Sequence, residues 1–162
     1  MIHYITIHYQ DPSWIELQLK YINRNTTKPY KIWAFFGYHG EADAHHVNTI
    51  VKNNVESFHF LKSHRCSLRD RPSMRHWKQL DELTNIVLND PETDKTDTFV
   101  WLDSDSLIIS NINKFLDNLN CVDFAAVQRI ENSTTTFPGG DLFPHPCFAT
   151  CKAEFWKKNN LS

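Results

Sequence analysis

The stretch Thr98 to Ile109 limits what this chain can fold into more than any other. Phe99, Val100, Trp101 and Leu102 are consecutive apolar residues, and Asp103-Ser104-Asp105-Ser106 follows at once. A short unbroken apolar run with β-branched and aromatic members predicts a strand buried on both faces, as in a parallel sheet covered by helices. In open α/β sheets the ligand crevice lies at the carboxyl ends of the strands, so Asp103 and Asp105 stand where a site is expected. Acids one residue apart can share a hard divalent cation, one directly and one through water, and such a cation bridges to phosphate oxygens. The same tetrapeptide also reads as a polar turn, because Asp and Ser bond their own backbone. The buried strand in front of it is what favours the cation. An EF-hand loop is excluded, since Leu107, Ile108 and Lys114 occupy the positions that need an oxygen ligand, Gly and Glu.

The chain has 162 residues, 41% hydrophobic and 22% charged, the composition of an ordinary soluble globular protein of one domain, residues 1–162. Its net charge of -2 gives no overall preference for nucleic acid or a membrane surface. The charge is unevenly spread: residues 1–81 hold 11 Lys/Arg against 7 Asp/Glu, and residues 82–162 hold 6 against 12. A basic region and an acidic one are therefore available to meet in one cleft. Cys66, Cys121, Cys147 and Cys151 have neither zinc-site spacing nor the density of a disulfide framework, and are expected as free thiols in a reducing compartment. The start Met1-Ile-His-Tyr-Ile-Thr-Ile lacks the marks of a signal peptide, and no apolar run is long enough to span a bilayer. A cytoplasmic location with no integral membrane segment is the expectation.

Along the chain, Ile2 to Tyr9 alternates as a first strand. Asp11 and Pro12 supply an N-cap and first helical position, and Trp14, Ile15, Leu17, Leu19, Tyr21 and Ile22 form the apolar face of a helix ending near Asn23 to Asn25. Lys31 to Gly37 reads as a second buried strand. The polar segment Tyr38 to His46 carries His45-His46, adjacent residues that point apart on a helix and are expected to be solvated. Val55 to Leu61 predicts a third strand. Pro72 opens a further helix, with Met74, Trp77, Leu80, Leu83, Ile86 and Val87 at helical spacing towards Asn89.

The entrance to that helix holds Arg65, Arg69, Arg71, Arg75 and Lys78 against only Asp70. Free backbone N–H groups and the dipole at a helix start favour an anion, and Arg forks suit phosphate oxygens. A solvated basic face is the plainer alternative. Asp90 to Asp97 reads as a surface loop. After the Asp-Ser-Asp strand, Ser110 or Asn111 caps a short helix with Ile112, Phe115, Leu116 and Leu119 on its inner side. Cys121 to Ile130 predicts another strand, Asn132 to Asp141 a Ser/Thr/Gly/Pro-rich loop, Leu142 to Cys151 a last strand, and Ala153 to Lys158 a final helical turn.

Taken in this order, with the Pro72 helix leading into Trp101-Leu-Asp-Ser-Asp-Ser-Leu, then Gly139-Gly140-Asp141 and His145-Pro, the chain resembles the nucleotide-diphospho-sugar transferases of the GT-A fold. The likeness is closest to small single-domain members. It implies a three-layer α/β/α, Rossmann-like architecture with a mostly parallel central sheet. It further implies a glycosyltransferase that uses Mn2+ or Mg2+, a UDP- or GDP-sugar donor and a carbohydrate or glycoconjugate acceptor. Carried over by position, Asp105 is similar to the direct metal ligand and Asp103 to its partner on ribose, sugar or metal-bound water. Tyr9 and Gln10 match the position that meets the nucleobase. Arg71, Ser73 and His76 fall where the helix before the motif approaches nucleotide, diphosphate or sugar, and His145 resembles the downstream histidine that completes the metal shell. Asp141 is the candidate base for an acceptor hydroxyl if the reaction inverts the anomeric carbon.

Members of this family usually continue beyond the point reached at Ser162, so two expectations stand, a piece truncated at its C-terminal end or a minimal enzyme relying on a partner, and either bears on catalysis more than on nucleotide binding. Two other readings stay open: a sugar-nucleotide or carbohydrate binding module without turnover, and a nucleotidyltransferase, which would release pyrophosphate.

Overall fold

A computed structural model describes residues 1–9, 11–38, 40–65, 72–119, 121–130 and 142–159, except for the side chains of residues 38, 60, 63–65, 72–74, 128–130 and 142–146. Strands and helices alternate through the first half: β1 (Ile2–Tyr9), α1 (Ser13–Asn25), β2 (Tyr30–Tyr38), α2 (Glu41–Asn53), β3 (Phe58–Arg65), α3 (Pro72–Leu88) and β4 (Thr98–Asp103). Then come α4 (Ile112–Asn118), β5 (Phe124–Ile130), β6 (Leu142–Lys152) and α5 (Ala153–Asn159). The strands form one six-stranded sheet in the order β3-β2-β1-β4-β6-β5. β1 pairs in parallel with β2 and β4, and β2 with β3, whereas β6 runs antiparallel to both β4 and β5. This is the expected mostly parallel sheet between helical layers.

The pleat of β1 sends alternate residues to opposite layers. Ile2 and Tyr4 join Ile15, Leu19 and Ile22 of α1, Val47 and Ile50 of α2, and Ile112 and Leu116 of α4. Ile5 and Ile7 join Leu80, Leu83 and Val87 of α3 and Ala153 at the start of α5. Phe99 to Leu102 are buried on both faces, as a continuous apolar run in a central parallel strand must be. Full burial of each such side chain stabilises the fold by about 1.5–3 kcal/mol. The tryptophan N–H groups that burial would strand are satisfied: Trp101 Nε1 donates to Thr84 Oγ1 at 2.9 Å and Trp33 Nε1 to His3 Nδ1 at 2.9 Å.

The structure departs from the sequence reading in several places. Trp14, Trp77 and Phe115, expected on the apolar faces of their helices, are 39%, 50% and 44% exposed at the edges of those faces, and β5 begins at Phe124, three residues after Cys121. The polar stretch around His45-His46 lies in α2, whose Val47 and Ile50 are buried against the sheet with Val51 packed beside them, while both histidines are exposed as expected. β3 begins at Phe58, because residues 54–57 form a turn that leaves Val55 65% exposed. α1 starts one residue later than Pro12; Asp11 still serves its entrance by accepting the Ser13 N–H at 3.0 Å. Asn111 caps α4, its Oδ1 accepting from Asn113 N and Lys114 N. Among the described residues Cys121, Cys147 and Cys151 form no disulfide; Cys66 and the expected 132–141 loop lie outside the described residues. Among the described residues no helix is long and apolar enough to cross a membrane.

Candidate active site

The parallel strands β1 and β4 end on the same rim of the sheet, with Ile7 opposite Asp103 in register. Just past that point the chain turns: Ser106 N donates to Asp103 O at 3.0 Å, so Asp103 and Asp105 occupy the first and third positions of a β-turn. β4 sends Phe99 and Trp101 toward α3, and by the same alternation Asp103. There His76, from the first turns of α3, places Nε2 3.3 Å from Asp103 Oδ1. The N-terminal end of this 17-residue helix therefore stands at the rim that carries the acids. Tyr9, the last residue of β1, lies on the same face; its ring is 6.1 Å from that of His76, and its hydroxyl donates to Gln79 Oε1. Asp105 is exposed, and among the described residues its carboxylate has no hydrogen-bond or ion-pair partner.

Of the residues singled out from the sequence, the structure thus brings Tyr9, His76 and Asp103 into one cluster, with Asp105 in the turn beside it. Ser73 sits in the first turn of α3. His145 belongs to β6, opposite Val127 of β5 and beyond the last β4–β6 pair, Leu102 with Phe148, which puts it in the part of β6 that runs past the end of β4. The side chains of Ser73 and His145, and the whole of Gln10, Arg71 and Asp141, lie outside the described residues. Carboxylates such as those of Asp103 and Asp105, the latter without a partner among the described residues, are oxygen donors that suit Mg2+ or Mn2+ rather than a thiophilic metal.

The turn is fastened from beneath by residues the sequence reading did not single out. Gln18 of α1 donates through Nε2 to Asp103 O at 2.9 Å and to Ser106 O at 3.0 Å. Its Oε1 lies 3.1 Å from Nε2 of His8 on β1. His8 and Gln18 are both buried, and burial holds the His8 imidazole down to about 4, only partly countered by the Gln18 hydrogen bond. A signal was present in the sequence: Gln18 interrupts the apolar face formed by Ile15, Leu19 and Ile22, where an amide needs a buried partner.

A second cluster lies at the opposite rim. His59, Asp90 and Glu92 bring one ligand atom each within 4.8 Å of one another. Lys31 Nζ is 2.6 Å from Glu92 Oε2 and 3.5 Å from His59 Nε2, so an ammonium group already supplies the positive charge there.

The sequence matches no family model, and no curated protein is detectably similar to it. Solved structures are similar in fold. The mannosyltransferase PcManGT from Pyrobaculum calidifontis, solved with GDP-Man and Mn2+, aligns with a TM-score of 0.56 and 16% identity over 98% of this chain and 46% of its own. An active-site mutant of LgtC aligns with a TM-score of 0.57 and 11% identity over 98% of this chain and 59% of its own. At such identities the likeness establishes the fold, which is that of the GT-A glycosyltransferases. The chain spans about half the length of these two structures.

Proposed function

We propose that this chain binds a UDP- or GDP-sugar with Mn2+ or Mg2+ and transfers the sugar to a hydroxyl of a carbohydrate or glycoconjugate acceptor. The observation that carries this reading is the Asp103–Ser106 turn at the carboxyl end of β4, set against His76 and the start of α3 on a GT-A fold. The complex of PcManGT with GDP-Man and Mn2+ supports the choice of donor and ion.

Asp105, whose carboxylate has no partner among the described residues, would offer it to the cation, and Asp103, steadied by His76, would offer the second, directly or through water. His145 is proposed to complete that donor set. A divalent ion held there would neutralise the charge that develops on the departing diphosphate. The N-terminal N–H groups of α3, with Arg71 and Ser73, would hold the diphosphate oxygens, a task for which a helix start is suited whatever the sugar. Tyr9 and Gln10, where β1 ends, would face the nucleobase. Asp141 is proposed to take the proton of the acceptor hydroxyl if the reaction inverts the sugar, since a carboxylate is the usual base for it.

The test is incubation with UDP- and GDP-sugars and Mn2+, followed by chromatography of the nucleotides. Release of UDP or GDP supports the transferase. Metal-dependent binding without release supports a binding module instead. Release of pyrophosphate would mark a nucleotidyltransferase.

A further inference from the structure

Gln18 stands at a core position of α1, only 3% exposed, yet it spends its whole amide on the acidic turn. Both Nε2 hydrogens are used, one on Asp103 O and one on Ser106 O, the first and last carbonyls of the turn. Asp103 O already accepts the Ser106 N–H, so both its lone pairs are occupied. The turn that presents Asp105 is therefore closed on itself and anchored to a helix 85 residues away in sequence.

The amide orientation is not free. Reversing it would press Oε1 against the two carbonyl oxygens, so Oε1 must face His8 and accept from its Nε2–H. This fixes the imidazole tautomer and leaves His8 Nδ1 as a bare acceptor, which is buried with no partner among the described residues. An unpaired buried nitrogen is costly, and an aliphatic pair would fill the same space without it. What an aliphatic pair could not do is hold the ends of the turn. Hydrogen bonds behind a metal-binding carboxylate are part of how it is aimed.

We infer that Gln18, oriented by His8, is the positioning residue that sets where the Asp103 and Asp105 carboxylates stand for the cation. The inference rests on the reading of that turn as the metal and diphosphate site. Gln18 touches neither ion nor nucleotide in this role; it acts through the backbone of the turn.

Isothermal titration of Mn2+ together with UDP and with GDP, and of each nucleotide without metal, separates the possibilities in the wild type, Gln18→Met and His8→Leu, each with its melting temperature recorded. Gln18→Met should weaken Mn2+-dependent binding about tenfold, the usual scale for losing a hydrogen bond behind a metal ligand, and leave metal-free nucleotide binding unchanged. His8→Leu should act in the same direction and less strongly. A folded Gln18→Met protein that melts earlier but keeps the wild-type metal-dependent affinity would reduce Gln18 to a structural residue and overturn the inference. If Gln18→Met does not fold, His8→Leu decides by the same criterion. A wild-type protein without any metal-dependent nucleotide binding would instead sink the reading of the site, and this role with it.

Discussion

At the rim where β1 and β4 begin, carboxylates are matched to cations and donors of the protein itself. Asp97 accepts from the Met1 ammonium at 2.5 Å, from His3 Nε2 at 3.0 Å and from Asp94 N at 2.9 Å. Glu92 holds Lys31, and Asp90 lies 3.6 Å from His59 Nε2. At the rim where the same strands end, Asp103 is shared with His76, and Asp105 is left without a partner among the described residues. Both rims gather acids and histidines, so the presence of such residues does not distinguish a site. The distinction is whether the protein has already neutralised them. A paired carboxylate contributes to folding, whereas an unpaired one at a strand end is available to a ligand.

That contrast is open to attack from the folding side first. Asp97→Asn removes a buried charge on which His3 and the Met1 ammonium depend, and should cost about 4 kcal/mol, a fall of about 10 °C in melting temperature by calorimetry. Metal-dependent nucleotide binding by the folded protein should be untouched. A large loss of binding would mean that the rims are not separate in function.

Acid should act on both rims through the buried histidines. The folded-state pKa of His8 is lowered to about 4 by burial, and that of His3 is lowered by burial against the pull of Asp97. The unfolded chain takes up these protons near pH 6.5 while the folded one refuses them, so stability is full above that pH and declines as the pH falls toward 4. For His8 the loss amounts to about 3 kcal/mol over that window. Denaturant titrations at stepped pH should show this slope, and His8→Leu should flatten it. An equally steep slope in that variant would place the acid sensitivity elsewhere.

Glu92→Gln should have the smallest effect. The side chain is 68% exposed and its pair with Lys31 is at the surface, so stability should change little and Mn2+ binding not at all. A clear loss of Mn2+ affinity would show that the cluster with His59 and Asp90 takes an ion in place of Lys31.

Much of the fold was legible in the sequence because it follows from local pattern. The apolar run of β4, the alternation in β1 and the helical spacing in α3 each state a periodicity that needs no partner to be read. α2 was missed because only Val47 and Ile50 are buried in it, which is too sparse to stand out from a polar loop. The acids of the candidate site were legible, since they follow their strand directly. Their supports were not: Gln79 meets Tyr9 across 70 residues, and Gln18 meets Asp103 across 85. Contacts of that kind are created by the arrangement of the layers, and a single sequence marks them only as polar residues out of place on an apolar face, as Gln18 is.

The most direct measurement is the Mn2+-dependent binding of UDP and of GDP by Asp105→Asn beside the wild type. Asp105 is exposed and makes no bonds among the described residues, so the variant should melt like the wild type and lose metal-dependent affinity by about 100-fold, the upper end of the range for a disturbed metal site. A variant that binds Mn2+ and nucleotide as tightly as the wild type would contradict the assignment of the turn as the cation site.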